Sequence, residues 1–436
     1  MADKKLQLSK DPYKGTRDFY PRDMFIQKYM FGKMREVVEK FGYEEYDSSL
    51  LEETALYAAK TGEEIVKEQT YSFTDRGGRE VTIRPEMTPT LARMVAGRRM
   101  ELPYPLRWYS IPNLWRYEKP QRGRLREHWQ LNVDMVGVSS VDADVEMITI
   151  ASEIMLTLGA KRDTFQVKVN NRKLMNAFLK DVLQLSEEVS YKLCKLIDRM
   201  NKIEPAEFES EAEKLVGSMM DMFIGFCRAT KLTDLEIILP KAFFEENVGI
   251  KELTELLIAL ETNGVQNAVF DPTLMRGFDY YTGTVFELFD IHPDNRRSLF
   301  GGGRYDGLVG LFGVEEAPAV GFGMGDVTMR DYLETYGLLP EYRGTAGIFL
   351  CSVTPQDRMA TQTLALALRS EGVNVYVDLL DRKFDNRIKA ADKLGIPCFL
   401  ALGADEIASG KVKVRILAER REEEVSLEDL AQFLKK

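Results

Sequence analysis

Two segments of this sequence place polar side chains at spacings that let them act together. The first is Leu114-Trp-Arg-Tyr-Glu118, a loop Lys119-Pro-Gln-Arg-Gly-Arg-Leu-Arg126, and a return strand His128-Trp-Gln-Leu-Asn-Val-Asp134. Side chains alternate between the two faces of an extended strand. The return strand therefore puts Trp129, Leu131, Val133 and Met135 on one face and Gln130, Asn132 and Asp134 on the other. Arg116 and Glu118 share a face of the outgoing strand, where a planar guanidinium can grip a phosphate with two parallel hydrogen bonds. Lys119, Arg122, Arg124 and Arg126 crowd the turn. Two readings are open: an amphipathic hairpin with a solvated basic tip, or a polar binding floor whose tip meets phosphates. The second segment is Arg276-Gly-Phe-Asp-Tyr-Tyr-Thr-Gly-Thr-Val-Phe-Glu287, which by itself reads as a strand rich in aromatic residues. A third run, Val320-Gly-Phe-Gly-Met-Gly325, fits a nucleotide loop and close strand packing equally well.

The residue inventory narrows the chemistry. The chain has only two histidines, His128 and His292, which leaves almost no candidates for a Ser-His-Asp or Cys-His arrangement. Arginines, carboxylates and bound metal remain. The four cysteines, Cys194, Cys227, Cys351 and Cys398, are far apart and show no CxxC spacing. That argues against a zinc site or a disulfide framework and fits a reducing cytosol. The net charge of -10 argues mildly against a nucleic-acid partner, although a local basic surface can sit on an acidic protein. The polar Met1-Ala-Asp-Lys-Lys start lacks an apolar targeting core, and no run of 18 apolar residues appears, so a cytoplasmic protein with no membrane span is expected.

The elements that must carry these residues can be read in outline. Residues 23–41 predict an amphipathic helix through Met24, Phe25, Tyr29, Met34, Val37, Val38 and Phe41, stopped by Gly42. Asp75-Arg-Gly-Gly78 reads as a hairpin turn. Residues 105–138 look like two long strands around a polar loop. From about residue 171 to 260, Lys, Glu, Leu and Met dominate, which predicts a helical insertion. Strand signals return at residues 267–289. After a linker at 336–345, strands and helices alternate. Thr354-Pro-Gln-Asp357 reads as a helix start with a capping box, and Ser426 with Asp429 as another. Such alternation predicts a small α/β domain on a mostly parallel sheet.

Arg116-Tyr-Glu118, the basic loop and Arg126-Glu-His-Trp-Gln130 resemble motif 2 of the class II aminoacyl-tRNA synthetases, in the form found in the histidyl-tRNA synthetase family. Residues 276–287 resemble that family's histidine signature. Thr82-Ile-Arg-Pro-Glu-Met-Thr88 is similar to its amino-acid-binding loop. Gly301-Gly-Gly-Arg-Tyr-Asp-Gly-Leu308 is similar to its pocket strand, and Val320–Gly325 to the start of its motif 3. Gly15-Thr-Arg-Asp-Phe19 also fits, and the C-terminal region resembles its anticodon-binding domain. The resemblance covers nearly the whole chain. It implies an α+β catalytic domain on an antiparallel sheet (the class II synthetase fold) over residues 1–335, with the helical insertion inside it. An α/β anticodon-binding domain over residues 346–436 would follow.

The same resemblance implies an activity and a set of roles. Histidine would be activated by ATP to histidyl-adenylate and pyrophosphate, then transferred to the 3' end of tRNA(His). Both steps build negative charge on oxygens, which positioned cations stabilise. Arg116 would hold the α-phosphate, with Glu118, Arg126 and Gly325 as further ATP contacts. Arg276 would lie between the substrate carboxylate and the α-phosphate. Glu86, with Met87 and Thr88 beside it, would take the α-amino group, and Gln130 the amino-acid backbone. Asp134 and Tyr281 would bond the imidazole, with Tyr280 and Tyr305 as walls. Magnesium would arrive with the ATP phosphates rather than in a protein cage, and a homodimer is implied.

Three positions depart from the family pattern. His128-Trp129 reverses the usual order before the glutamine. Ser49 stands where motif 1 has a proline at the dimer interface. Val327 and Thr328 stand where motif 3 has a glutamate-arginine pair, and that arginine meets the phosphate tail. Losing one such contact would cost about 1.5–3 kcal/mol, unless Arg330 or a loop arginine substitutes. Alternative readings are the family's regulatory paralogue in histidine biosynthesis, another class II synthetase, or an RNA-binding protein without catalysis. The nearly whole histidine signature and the C-terminal domain oppose the first.

Overall fold

The computed structural model describes residues 8–61, 68–275, 281–293, 295 and 297–435, and the account below concerns these. They form two units, one holding most residues up to Leu339 and one made of Pro21–Ile26 with the chain from Pro340 onward.

Helix α1 (Pro21–Lys40) begins with proline at its first turn, where no N–H partner is lost. It buries Gln27, Met30, Met34, Val37 and Val38. Met24, expected on this face, is exposed, because the buried stripe starts one turn later. Strands β1 (Glu44–Glu45) and β2 (Leu51–Glu53) and helix α2 (Thr54–Thr61) follow. The hairpin β3 (Tyr71–Thr74) and β4 (Glu80–Ile83) turns at Asp75, whose carboxylate accepts from the N–H groups of Gly77 and Arg79. β4 leads through Arg84-Pro85-Glu86-Met87 into α3 (Thr88–Gly97).

Residues 105–138 form three strands rather than two: β5 (Leu106–Ser110), β6 (Asn113–Trp115) and β7 (Glu127–Val136). Pro112 lacks the N–H that a continuous strand would use, so the outgoing arm breaks there. β6 pairs with β7 only from Asn113↔Trp129 to Trp115↔Glu127. Arg116 extends the pairing by one bond, its N–H donating to the Arg126 carbonyl at 2.8 Å. Glu118 therefore lies in the loop rather than on the strand.

After α4 (Val141–Thr157) and β8 (Phe165–Asn171), the chain is helical from α5 (Arg172–Ala177) to α11 (Val248–Thr262). Asn171 caps this start, accepting from the Lys173 N–H at 2.8 Å. Strands β9 (Ala268–Phe270), β10 (Thr284–Asp290), β11 (Arg297–Arg304) and β12 (Ala319–Gly325) and helix α12 (Asp326–Thr335) complete the unit. The large sheet has the order β1-β5-β7-β12-β11-β10-β8-β9, with β6 on β7. From β5 to β8 every pair is antiparallel, and only the two edge pairs, β1 with β5 and β8 with β9, are parallel. This is the α+β architecture that the motifs imply.

The second unit contains β13 (Ile348–Ser352), α13 (Arg358–Ser370), β14 (Val375–Val377), α14 (Phe384–Lys393), β15 (Cys398–Leu402), α15 (Ala404–Ser409), β16 (Lys411–Ile416), β17 (Arg421–Ser426) and α16 (Leu430–Leu434). The sheet order is β14-β13-β15-β16-β17. Its first two pairs are parallel and its last two antiparallel, so it is mixed rather than mostly parallel. β17 escapes the sequence reading because Arg-Glu-Glu-Glu gives it no apolar alternation. The Ser426–Asp429 bond at 2.7 Å closes a turn, and the last helix starts only at Leu430. The expected capping box at Thr354 is present, with Asp357 accepting from the Thr354 N–H and hydroxyl. Alternate residues of β13 feed two cores. Ile348 and Leu350 join Leu400, Val412 and Val414, while Phe349 and Cys351 join Phe399 and Ile396. Each such large apolar side chain contributes about 1.5–3 kcal/mol on burial.

Candidate functional site

Strand β7 presents Gln130, Asn132 and Asp134 on one face, and its neighbour β12 makes room for them with glycines. Gly321 lies directly opposite Asp134 in the register. A Cβ at Gly321 would collide with the Asp134 carboxylate, and one at Gly323 would come within 2.8 Å of the Gln130 amide. Of the two readings of Val320–Gly325, close strand packing is the one found. The glycines permit a close approach, and what approaches is the polar row of β7.

Asp134 is 4% exposed and accepts a short hydrogen bond from the Tyr305 hydroxyl. Burial pushes its carboxyl up to about 7, and the Tyr305 bond only partly opposes this. Near neutral pH it can thus carry or release a proton in step with an imidazole, whose own range is similar. Tyr305 packs in a cluster with Leu91, Leu106 and Val136, and Tyr281 lies against that cluster. The preceding Arg304 is buried in an ion pair with Asp144 at 2.5 Å and bonds the carbonyls of Val138 and Ser140. Removing one partner of such a pair costs about 3–5 kcal/mol. That clamp anchors the end of β11, and so the position of Tyr305.

The loop between β4 and α3 brings Glu86 beside Arg116. Arg84, 5% exposed, holds this loop. It donates to Asp47 and the Ser48 carbonyl at 2.8 Å and to the Asn113 carbonyl at 3.1 Å. Arg116 donates from Nε to the Pro85 carbonyl at 2.9 Å. Burial pushes the Glu86 carboxyl up, and the Arg116 charge opposes that shift. Met87 is fully buried beneath the loop, and Thr88 opens α3.

Next to these groups lies a cavity of about 790 Å³. Arg116, Glu118, His128, Gln130 and Gly325 line it from one side, and Lys168, Asp271, Glu287, Arg297 and Phe300 from the others. His128 stays neutral, its pKa lowered to about 3 by burial and then by Arg116 and Arg17. Arg126 is placed differently. Its guanidinium lies 4.2 Å from the centre of the Tyr117 ring and donates to the Tyr13 hydroxyl at 3.0 Å. The N-terminal Gly15–Phe19 segment braces the same region. Arg17 pairs with Asp326 at 2.7 Å, and Asp326 also accepts from the Trp129 N–H at 3.0 Å.

At the motif 3 departure, Val327 and Thr328 both line the cavity. The Thr328 hydroxyl donates to the Leu299 carbonyl at 2.9 Å. Arg330 is bonded to Glu334 at 2.9 Å on the same helix and does not line the cavity. Arg276 and Tyr280 lie outside the described residues. The structure thus gathers Glu86, Arg116, Glu118, Gln130 and Gly325 around one cavity and its edge, and Asp134, Tyr281 and Tyr305 around a second cluster on the same sheet. Sequence reasoning missed Arg297 at the start of β11, Lys168 in the middle of β8 and Asp271 just after β9, none of which belongs to a motif. It also missed Tyr46, whose buried hydroxyl is pushed further up by the Asp134 charge.

A family model described as histidyl-tRNA synthetase matches residues 15–326, and one described as anticodon binding domain matches residues 348–436. The histidine–tRNA ligase of Leptospira biflexa serovar Patoc (strain Patoc 1 / Ames) is 43% identical over 439 residues, covering 99% of each chain. That of Thermoplasma volcanium is 36% identical, covering 97% of this chain and 98% of its own. Among solved structures, the histidyl-tRNA synthetase from Nostoc sp. PCC 7120 has a TM-score of 0.85 at 25% identity, covering 98% of this chain and 99% of that one. An ATP phosphoribosyltransferase regulatory subunit/histidyl-tRNA synthetase from Bacillus halodurans C shares the fold at a TM-score of 0.75, covering 93% and 100%.

Proposed function

This chain belongs to the histidyl-tRNA synthetase family, and from that we propose how its residues divide the work of joining histidine to tRNA. The activity is that of a histidine–tRNA ligase: ATP-dependent activation of histidine followed by its transfer to tRNA. The observation that carries the assignment of roles is the buried Asp134–Tyr305 pair on the same strand face as Gln130, with Arg116 and Glu86 at the next edge.

Asp134 and Tyr281 bond the imidazole of the substrate, with Tyr280 and Tyr305 as walls. A pocket whose polar groups need both ring nitrogens rejects an amino acid that would leave them unpaired. Glu86, on a loop with Met87 and Thr88, accepts from the substrate α-amino group, and Gln130 holds the amino-acid backbone. Arg116 meets the α-phosphate, and Glu118, Gly325 and Arg126 frame the nucleotide. Arg126, stacked on Tyr117, does so by stiffening the loop. Arg276 bridges the substrate carboxylate and the α-phosphate. The carboxylate attacks phosphorus, and the charge that builds on the phosphate oxygens meets cations already in place, which need no reorganisation. Magnesium accompanies the ATP phosphates, and the cavity's own carboxylates Glu118 and Glu287 are oxygen ligands of the type it takes. The protein acts in the cytoplasm as a homodimer. Among the described residues no helix is long and apolar enough to cross a membrane. Residues 1–335 form the catalytic domain with its insertion at about 171–260. Residues 336–345 link it to the anticodon-binding domain at 346–436.

The test is Arg276→Ala. We expect loss of histidine-dependent ATP–pyrophosphate exchange with an unchanged melting temperature. Exchange near the parental rate would remove Arg276 from this role.

A further inference from the structure

Thr328 cannot reach a phosphate tail as an arginine would, yet the cavity beside it is not short of a cation. We propose that Arg297, from the start of β11, is the guanidinium that holds the β- and γ-phosphates of ATP in this chain, and that Thr328 positions it. This rests on reading the 790 Å³ cavity as the ATP site.

The placement follows from a bulge. The β10–β11 register shifts between Leu288 and Phe289: Leu288 pairs with Phe300, but Phe289 pairs with Ser298. Leu299 is left over, and its carbonyl is taken by the Thr328 hydroxyl at 2.9 Å. A bulge re-aims the side chains around it, and here Arg297, Ser298, Leu299 and Phe300 all line the cavity. The Arg297 guanidinium lies next to Gly123, at the tip of the basic loop. Gly123 has φ +78°, and a Cβ there would stand 2.6 Å from Arg297 Nη1 and 3.6 Å from the Thr328 methyl. Arg297 and Thr328 thus flank one point, and the arginine occupies the space that the short threonine leaves.

Charge balance singles out Arg297 among the cations of the cavity. Lys168 is paired with Asp271 at 2.7 Å and Lys202 with Asp198 at 3.1 Å. Arg124 is mostly exposed, opposite Glu118. Arg297 donates to the Arg122 carbonyl at 3.1 Å, and among the described residues the acid it pairs with, Asp331 at 3.6 Å, is already held by Arg122 at 2.8 Å. Two guanidiniums share one carboxylate, so a net positive charge remains. A guanidinium has five N–H donors, and a backbone carbonyl occupies one, much as the Pro85 carbonyl occupies one on Arg116. Two arginines, each braced by a carbonyl, then serve the two ends of the triphosphate.

The experiment compares full-length Arg297→Ala, Arg297→Lys, Thr328→Val and Arg116→Ala in ATP–pyrophosphate exchange, with competition by AMP. For Arg297→Ala we expect kcat/KM for ATP to fall about 10- to 100-fold. The KM for histidine and inhibition by AMP, which has no phosphate tail, should stay within about twofold of parental values. Arg297→Lys keeps the charge without the fork and should lose less, which settles the matter even if the alanine variant fails to fold. Thr328→Val should reduce kcat/KM for ATP with the same selectivity. If kcat/KM for ATP stays within about threefold in Arg297→Ala, or if ATP and AMP weaken equally, the inference is wrong. Loss in Arg116→Ala alone would overturn the role of Arg297 and leave the ATP site standing. No loss in either would overturn the reading of the cavity itself.

Discussion

At the residue scale, Asp134 sets the terms. Its carboxyl titrates near 7 because it is buried, against about 3.9 in an unfolded chain. The folded state therefore binds the extra proton between about pH 4 and 7, and stability falls as pH rises through that window. Asparagine at this position keeps an acceptor for Tyr305 and cannot ionise. The melting temperature of Asp134→Asn relative to the parent should thus climb between pH 5 and pH 8; parallel profiles would show that Asp134 does not titrate there. If Asp134 bonds the imidazole, Asp134→Ala should raise the KM for histidine more than the KM for ATP. Equal effects on the two would argue against that contact. Arg116 and Arg297 belong to the same scale: both are cations whose backbone anchors leave donors for a ligand.

At the element scale, what matters is how closely β12 can lie along β7. Gly321 and Gly323 are both needed for this, but for different reasons. A methyl at Gly321 would press on the Val133 carbonyl at 2.6 Å as well as on Asp134. Backbone cannot yield cheaply, so Gly321→Ala should lower the melting temperature by several degrees. The three atoms nearest a methyl at Gly323 all belong to the Gln130 side chain, which can swing. Gly323→Ala should melt near the parent but lose about tenfold or more in kcat/KM for histidine, as expected when a positioning contact is displaced. The same loss of stability in both variants would contradict the distinction. The helical run from α5 to α11 was legible from its Lys, Glu, Leu and Met content, and the strand β7 from its alternation over several residues. The break at Pro112 was readable in principle but lay inside an otherwise convincing strand. β17 was not legible, since a strand of charged residues at a sheet edge carries no apolar alternation.

At the scale of the whole molecule, the described candidate site residues all lie in the first unit, while the anticodon-binding match lies in the second. A chain ending at Leu339 should therefore retain histidine-dependent ATP–pyrophosphate exchange within about an order of magnitude while charging tRNA far more slowly, because an RNA-binding surface has been removed. Equal loss of both activities would mean that the second unit supports the first step as well. The proposed homodimer can be weighed by light scattering on the full chain, where a monomer mass would exclude it.

The sequence by itself showed that Gln130, Asn132 and Asp134 share a face and that residues 171–260 are largely helical, the first because an extended backbone alternates its side chains over a few residues. The resemblance of its motifs was enough to name the reaction. It could not say what Asp134 would touch, since Tyr305 lies 171 residues away in the chain. Nor could it say why the glycines of β12 are there, or that a bulge would turn Arg297 into the cavity beside Thr328. Those outcomes depend on which strands become neighbours in the sheet and in what register. Only the packing of the whole unit decides that, because each pairing gains its energy from partners distant in sequence.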